Sequence, residues 1–128
     1  MKRKILFLVN KDNVIYNFRR ELAFKLVELG YDVYISSPYG KKIDFMVERG
    51  CKFAELDIDR RGTNIFTDIK LIWKYLKQLK EIKPDIVLAY TSKPTIYGGI
   101  CCRILGIPYI VNNAGLLDPT DYSWYVGV

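Results

Sequence analysis

Apolar positions along the chain alternate between two spacings. Residues 4–10, KILFLVN, form a nearly continuous apolar run, the pattern of a strand covered on both faces. Ile15, Phe18, Leu22, Leu26 and Leu29 then recur at helical spacing. Asp12 or Asn13 stands where an N-cap belongs, and Gly30 where a helix end takes a left-handed residue. A second cycle comes next: DVYISS (32–37) reads as a strand, Pro38 and Gly40 as a turn, and 41–49 as a short helix. That helix has Ile43, Met46 and Val47 inward and stops at Gly50. The third strand is CKFAELD (51–57), and the polar loop IDRRGTN (58–64) leads to a long helix over 66–82. Phe66, Ile69, Ile72 with Trp73, Leu76 and Leu79 form its predicted apolar stripe, with lysines opposite. Pro84 ends helix formation, DIVLAYT (85–91) is a fourth strand, 95–105 a helix closed by Gly106, and PYIVNN (108–113) a fifth strand.

Five strands alternating with four helices through short loops predict one α/β domain over residues 1–128. The expected architecture is a Rossmann-like, doubly wound parallel sheet in the order 3-2-1-4-5, with helices on both faces. In such a sheet ligands gather outside the carboxyl ends of the strands, near the switch between strands 1 and 4. NKDN (10–13) and TSK (91–93) are the turns that border this crevice.

Composition narrows the chemistry. Half of the 128 residues are hydrophobic, enough for one core, and 20 Lys and Arg against 14 Asp and Glu leave a net charge of +6. That balance favours anionic partners, either phosphorylated molecules, nucleic acid or an anionic membrane surface. Histidine is absent, which excludes His-based triads and a His general base in this chain. Cys51, Cys101 and Cys102 have no metal-ligand spacing, and the adjacency of two of them argues against a disulfide framework. Free thiols point to a reducing, cytoplasmic compartment. MKRKILFLVN starts like a signal peptide, but its apolar run gives out at Asn10 and Lys11, short of an h-region or a membrane span.

Several crevice chemistries can be set aside. No glycine precedes Gly30, so the dinucleotide fingerprint is missing, and no P-loop occurs. A receiver-type signalling domain would account for Asp57 and Thr91 at the ends of strands 3 and 4. It also needs paired carboxylates after strand 1, where only Asp12 is near, and a lysine after strand 5, where Asn112 and Asn113 stand. The remaining lining is Asn10, Lys11, Asn13, Arg60, Arg61, Thr91, Ser92, Lys93, Asn112 and Asn113. Amides and hydroxyls suit sugar hydroxyls, and cations suit phosphates. No catalytic nucleophile stands out, and no metal set is expected. Each residue also has a plain structural role open to it: Asn13 as a cap, Arg60 and Arg61 as a solvated loop, Lys93 as surface ahead of Pro94. Their convergence on one edge is the argument for a site. Gly98 and Gly99 are expected to let a helix pack closely on the sheet.

These residues resemble the N-terminal domain of GT-B glycosyltransferases of family 4, above all those that assemble capsular polysaccharides and exopolysaccharides. The likeness covers residues 3–117. It is carried by N-F-R-x-x-L on the first helix, the DRRGTN loop, the KPDIV strand, T-x-KP-x-x-YG and the N-x-x-GL turn. The resemblance implies that this domain holds the acceptor, commonly a lipid-linked sugar diphosphate at the inner membrane face. The acceptor-facing edge would be Asn10–Asn13, Arg60–Asn64, Thr91–Lys93 and Asn112–Gly115, with Lys93 and Arg61 on phosphate or sugar. It implies no cofactor in this chain; a nucleotide sugar is the donor substrate of the complete enzyme, held by a C-terminal domain not found in this sequence. The tail LDPTDYSWYVGV leaves the family pattern, and Trp124, Tyr125 and Val126 are expected to expose an apolar end. The chain is thus expected to be a fragment, a truncated product or one subunit of a split enzyme, inactive alone. A second expectation is a non-catalytic subunit that docks on the inner membrane face and recruits a donor-binding chain; nucleic acid is not an expected partner.

Overall fold

A computed structural model of the chain describes residues 3–58, 65–90, 94–112 and 125–127; for Phe18, Ile65, Asn112 and 125–127 only the backbone is described. Strands β1 (Lys4–Leu8), β2 (Asp32–Ser37), β3 (Lys52–Glu55), β4 (Ile86–Tyr90) and β5 (Tyr109–Asn112) form a parallel sheet in the order 3-2-1-4-5. Leu6 of β1 stands level with Tyr34 of β2 on one side and Val87 of β4 on the other. A short sixth strand, β6 (Tyr125–Gly127), adds antiparallel to β5. Tyr125 and Val126, expected in an uncovered tail, therefore have their backbone in the sheet, while Trp124 lies outside the described residues.

The helical elements are α1 (Asp12–Val14), a π-helical turn (Ile15–Arg19), α2 (Arg20–Glu28), α3 (Lys41–Glu48), α4 (Ile65–Ile82), a second π-helical turn (Pro94–Gly98) and α5 (Gly99–Leu105). The pleat of β1 divides the interior in two. Leu6 and Leu8 face a core shared with Leu71, Tyr75 and Leu79 of α4 and with Cys101 and Cys102 of α5. Ile5, Phe7 and Val9 face the opposite core, with Ile15, Ala23, Ile43 and Met46. Both faces of β1 are covered, which is why its sequence shows no alternation.

Two predicted stripes are displaced. The π-helical turn inserts an extra residue after α1 and so rotates the helix beyond it, leaving Ala23 buried while Leu22 and Leu29 are exposed. In α4 the buried row is Leu71, Tyr75 and Leu79, and Phe66, Ile69 and Trp73 point outward. Val47 of α3 is likewise exposed. Gln78 anchors α4 to the sheet: its Oε1 accepts from the buried Ser36 hydroxyl and its Nε2 donates to the Ala54 carbonyl at 3.2 Å. The expectation for Gly98 holds, since a Cβ there would lie 2.4 Å from Leu8 Cδ1. Gly106 ends α5 with φ 70°, in the left-handed region.

Candidate functional site

Past the end of β1 the chain reaches Asn10, which is half-buried, and passes through the exposed Lys11 to Asp12 and the half-buried Asn13. Beyond the strand, the Val9 amide still donates to the Ser36 carbonyl at 3.0 Å. Asp12 is buried, and its Oδ2 accepts from the Lys42 amide at 2.9 Å. The sequence assigns Asp12 or Asn13 to the cap of the helix they begin; the structure corrects this. Lys11 is the N-cap residue there, without a side-chain bond, and Asp12 caps α3 instead. Gly40, at the N-cap of α3, has room for no side chain because its Cβ would fall 2.3 Å from Asp12 Cγ. The carboxylate satisfies an amide that the α3 N-terminus leaves open, and so joins the loop after β1 to the loop after β2.

At the switch between β1 and β4 the last residue of β4, Tyr90, stacks on Phe7 with centroids 6.1 Å apart. The Arg19 guanidinium sits 5.3 Å from the Tyr90 centroid. Burial raises the Tyr90 hydroxyl above its ordinary pKa, and the hydrogen bond and charge of Arg19 pull the other way. Arg19 and Tyr90 are edge residues that the sequence reading did not assign. The available signal was the arginine of N-F-R-x-x-L, which the π-helical turn swings toward β4.

Of the predicted site residues, Asn10, Lys11 and Asn13 stand at this switch, and the backbone of Asn112 ends β5 level with Tyr90. Arg60, Arg61, Thr91, Ser92, Lys93, Asn113 and Gly115 lie outside the described residues. Among the described residues no group of three or more Cys, Asp or Glu side chains could hold a metal. The thiols belong to the cores: burial pushes Cys51 and Cys101 up to about 11 and Cys102 to about 12, leaving them protonated at neutral pH.

Away from the edge, the hydroxyl of Tyr97 donates to Asp68 at 2.9 Å and ties the second π-helical turn to α4. Exposed apolar side chains include Phe66, Ile69 and Trp73 of α4, Ile96 of the second π-helical turn, and Ile100 and Ile104 of α5, with Phe66 72% and Trp73 66% exposed. Lys70, Lys74, Lys77 and Lys80 are exposed along α4. No helix among the described residues is long and apolar enough to cross a membrane.

Comparison with known proteins shows a match to the glycosyl transferase 4-like family over residues 4–121. A curated relative, the UDP-N-acetylglucosamine–N-acetylmuramyl-(pentapeptide) pyrophosphoryl-undecaprenol N-acetylglucosamine transferase of Dechloromonas aromatica (strain RCB), is 24% identical over 101 residues. That alignment takes in 72% of this chain and 29% of the relative. A glycosyltransferase of Rickettsia africae ESF-5 superposes with a TM-score of 0.70 at 18% identity, over 86% of this chain and 29% of that one. The UDP-GlcNAc 2-epimerase of Neisseria meningitidis, solved bound to UDP-GlcNAc, gives 0.66 at 19% identity, over 94% of this chain and 34% of that one. At these identities the structural likeness is one of fold. The chain spans about a third or less of the length of these relatives.

Proposed function

The chain belongs to the glycosyl transferase 4-like family as a GT-B, Rossmann-like domain, and from that membership we propose that it is the acceptor-binding half of a glycosyltransferase. In the complete enzyme a sugar passes from a nucleotide sugar, held by a donor-binding domain or chain, to a lipid-linked saccharide acceptor of cell-surface polysaccharide synthesis, such as a capsule or exopolysaccharide. The family match over residues 4–121 carries this reading. The gathering of Asn10, Lys11 and Asn13 beside the Arg19–Tyr90 pair supports it, because this edge offers amides for hydroxyls and cations for phosphate. The name of the curated relative includes a pyrophosphoryl-undecaprenol substrate, which supports a lipid-linked acceptor. Arg60, Arg61, Thr91, Ser92, Lys93, Asn112, Asn113 and Gly115 complete the proposed edge. No cofactor is assigned to this chain.

Lys93 is proposed to hold the acceptor phosphate. Lys93→Ala in the assembled enzyme is expected to raise the acceptor KM about tenfold or more, the loss of one charge-assisted contact, with folding intact. Unchanged acceptor kinetics would return Lys93 to ordinary surface.

The second reading, a subunit docked peripherally on the anionic inner membrane face, is favoured by the apolar surface of α4 and α5 with its neighbouring lysines. The two readings are separable. The first requires acceptor contacts at the carboxyl edge, whereas the second requires only vesicle binding and recruitment of a donor-binding chain.

A further inference from the structure

A cavity of about 400 Å³ lies between the loops after β2 and β3 and the first turns of α4. Its volume is in the range of small-molecule sites. Pro38, Ile58 and the buried Leu71 give it apolar surface, and Thr67, Lys70, Lys74 and Asp57 give it polar groups. The two lysines stand one turn apart on α4, so their side chains reach the same opening. The Lys74 ammonium donates to the Asp57 carbonyl at 3.3 Å, which holds the cation beside the chain as it leaves β3. Lys70 forms no ion pair with a described residue, and both lysines are exposed. Thr67 is the third residue of an 18-residue helix, where the dipole adds partial positive charge.

We propose that this cavity binds a sugar unit carrying an anionic group, a phosphate or a carboxylate. Among the described residues two ammonium groups outweigh the one carboxylate at the opening, so the anion faces Lys70 and Lys74. The Thr67 hydroxyl and the Asp57 carboxylate pair with sugar hydroxyls, which donate to the carboxylate. The C–H face of the ring packs on Pro38, Ile58 and Leu71, as apolar surface requires. Neither an inorganic anion nor a neutral sugar uses the whole lining. The assignment of a saccharide rests on the acceptor-binding reading, and the cation pair stands on the geometry alone. It adds Lys70 and Lys74 to an edge on which the sequence had marked other residues.

The experiment is a titration of the ¹⁵N-labelled 128-residue chain with glucose 1-phosphate, followed by amide shifts, with glucose and inorganic phosphate run in parallel. Saturable shifts at Asp57, Ile58 and Thr67–Lys74 are expected, with either simpler compound binding about tenfold weaker or worse. Lys70→Gln and Lys74→Gln are each expected to weaken binding about tenfold, and, being surface changes on α4, to leave the melting temperature in place. Equal affinity for inorganic phosphate, equal binding by both variants, or no shift at the cavity would overturn the proposal. Shifts confined to Asn10–Asn13 and Tyr90 would overturn it while sparing the acceptor-binding reading. That reading is judged separately, by the acceptor kinetics of Lys93→Ala.

Discussion

Asp12 shows how a single side chain is assigned by what comes near it in space. Its place just before a helix makes it look like a local cap, yet its carboxylate serves an amide 30 residues further on. Asp12→Ala is expected to cost about 1–2 kcal/mol in urea denaturation, because the partly buried amide of Lys42 loses its acceptor. An unchanged denaturation midpoint would show that another group satisfies Lys42. Nothing in the local spacing distinguishes these roles, since both need a short acceptor at a loop. The thiols give a second prediction at this scale. Burial holds Cys51 and Cys101 near 11 and Cys102 near 12, against an ordinary value of 9.0. The folded chain keeps protons that the unfolded chain releases, so this contribution to stability is intact below pH 9.0 and is lost as the pH rises toward 11 and 12. Thermal melts from about pH 8 upward are expected to show the decline. At neutral pH all three thiols are expected to resist alkylation until the chain is unfolded; fast labelling of the native protein would contradict their burial.

At the level of elements, the five parallel strands were legible and helix faces only in part, Ile43 and Met46 of α3 being buried as expected. KILFLVN and DIVLAYT carry continuous apolar runs that only a doubly covered strand explains, and both form strands. Helix α4 is apolar in two directions at once, so periodicity supports either of two stripes. Contact with the sheet chose Leu71, Tyr75 and Leu79. The first helical segment failed for another reason: a π-helical turn breaks the 3.6-residue count on which the stripe depends. The two faces of α4 are expected to respond differently to mutation. Leu71→Ala should cost about 2–4 kcal/mol, as a cavity opens in the core. Trp73→Ser should leave stability within about 0.5 kcal/mol, as a surface change. If the docking reading holds, Trp73→Ser should also reduce sedimentation of the chain with phosphatidylglycerol vesicles. Equal sedimentation of wild type and variant would remove that face as a docking surface.

Over the whole molecule, the alternation of strands and helices was sufficient to derive the order 3-2-1-4-5, because right-handed crossovers leave few other arrangements. The crevice was legible in outline for the same reason: topology alone brings Asn10 and Lys11 to the end of β4. The cavity beside α4 was not, since Pro38, Asp57 and Lys70 come from three separate elements and share no motif. β1 lends Leu6 and Leu8 to one core and Ile5 and Phe7 to the other. Neither core can melt while the other survives, because the strand common to both would have to be ordered and disordered together. Heat should therefore unfold the chain in one all-or-none step, with calorimetric and van't Hoff enthalpies equal. Two resolved transitions would mean that the halves of the interior are less dependent on their shared strand than its position implies.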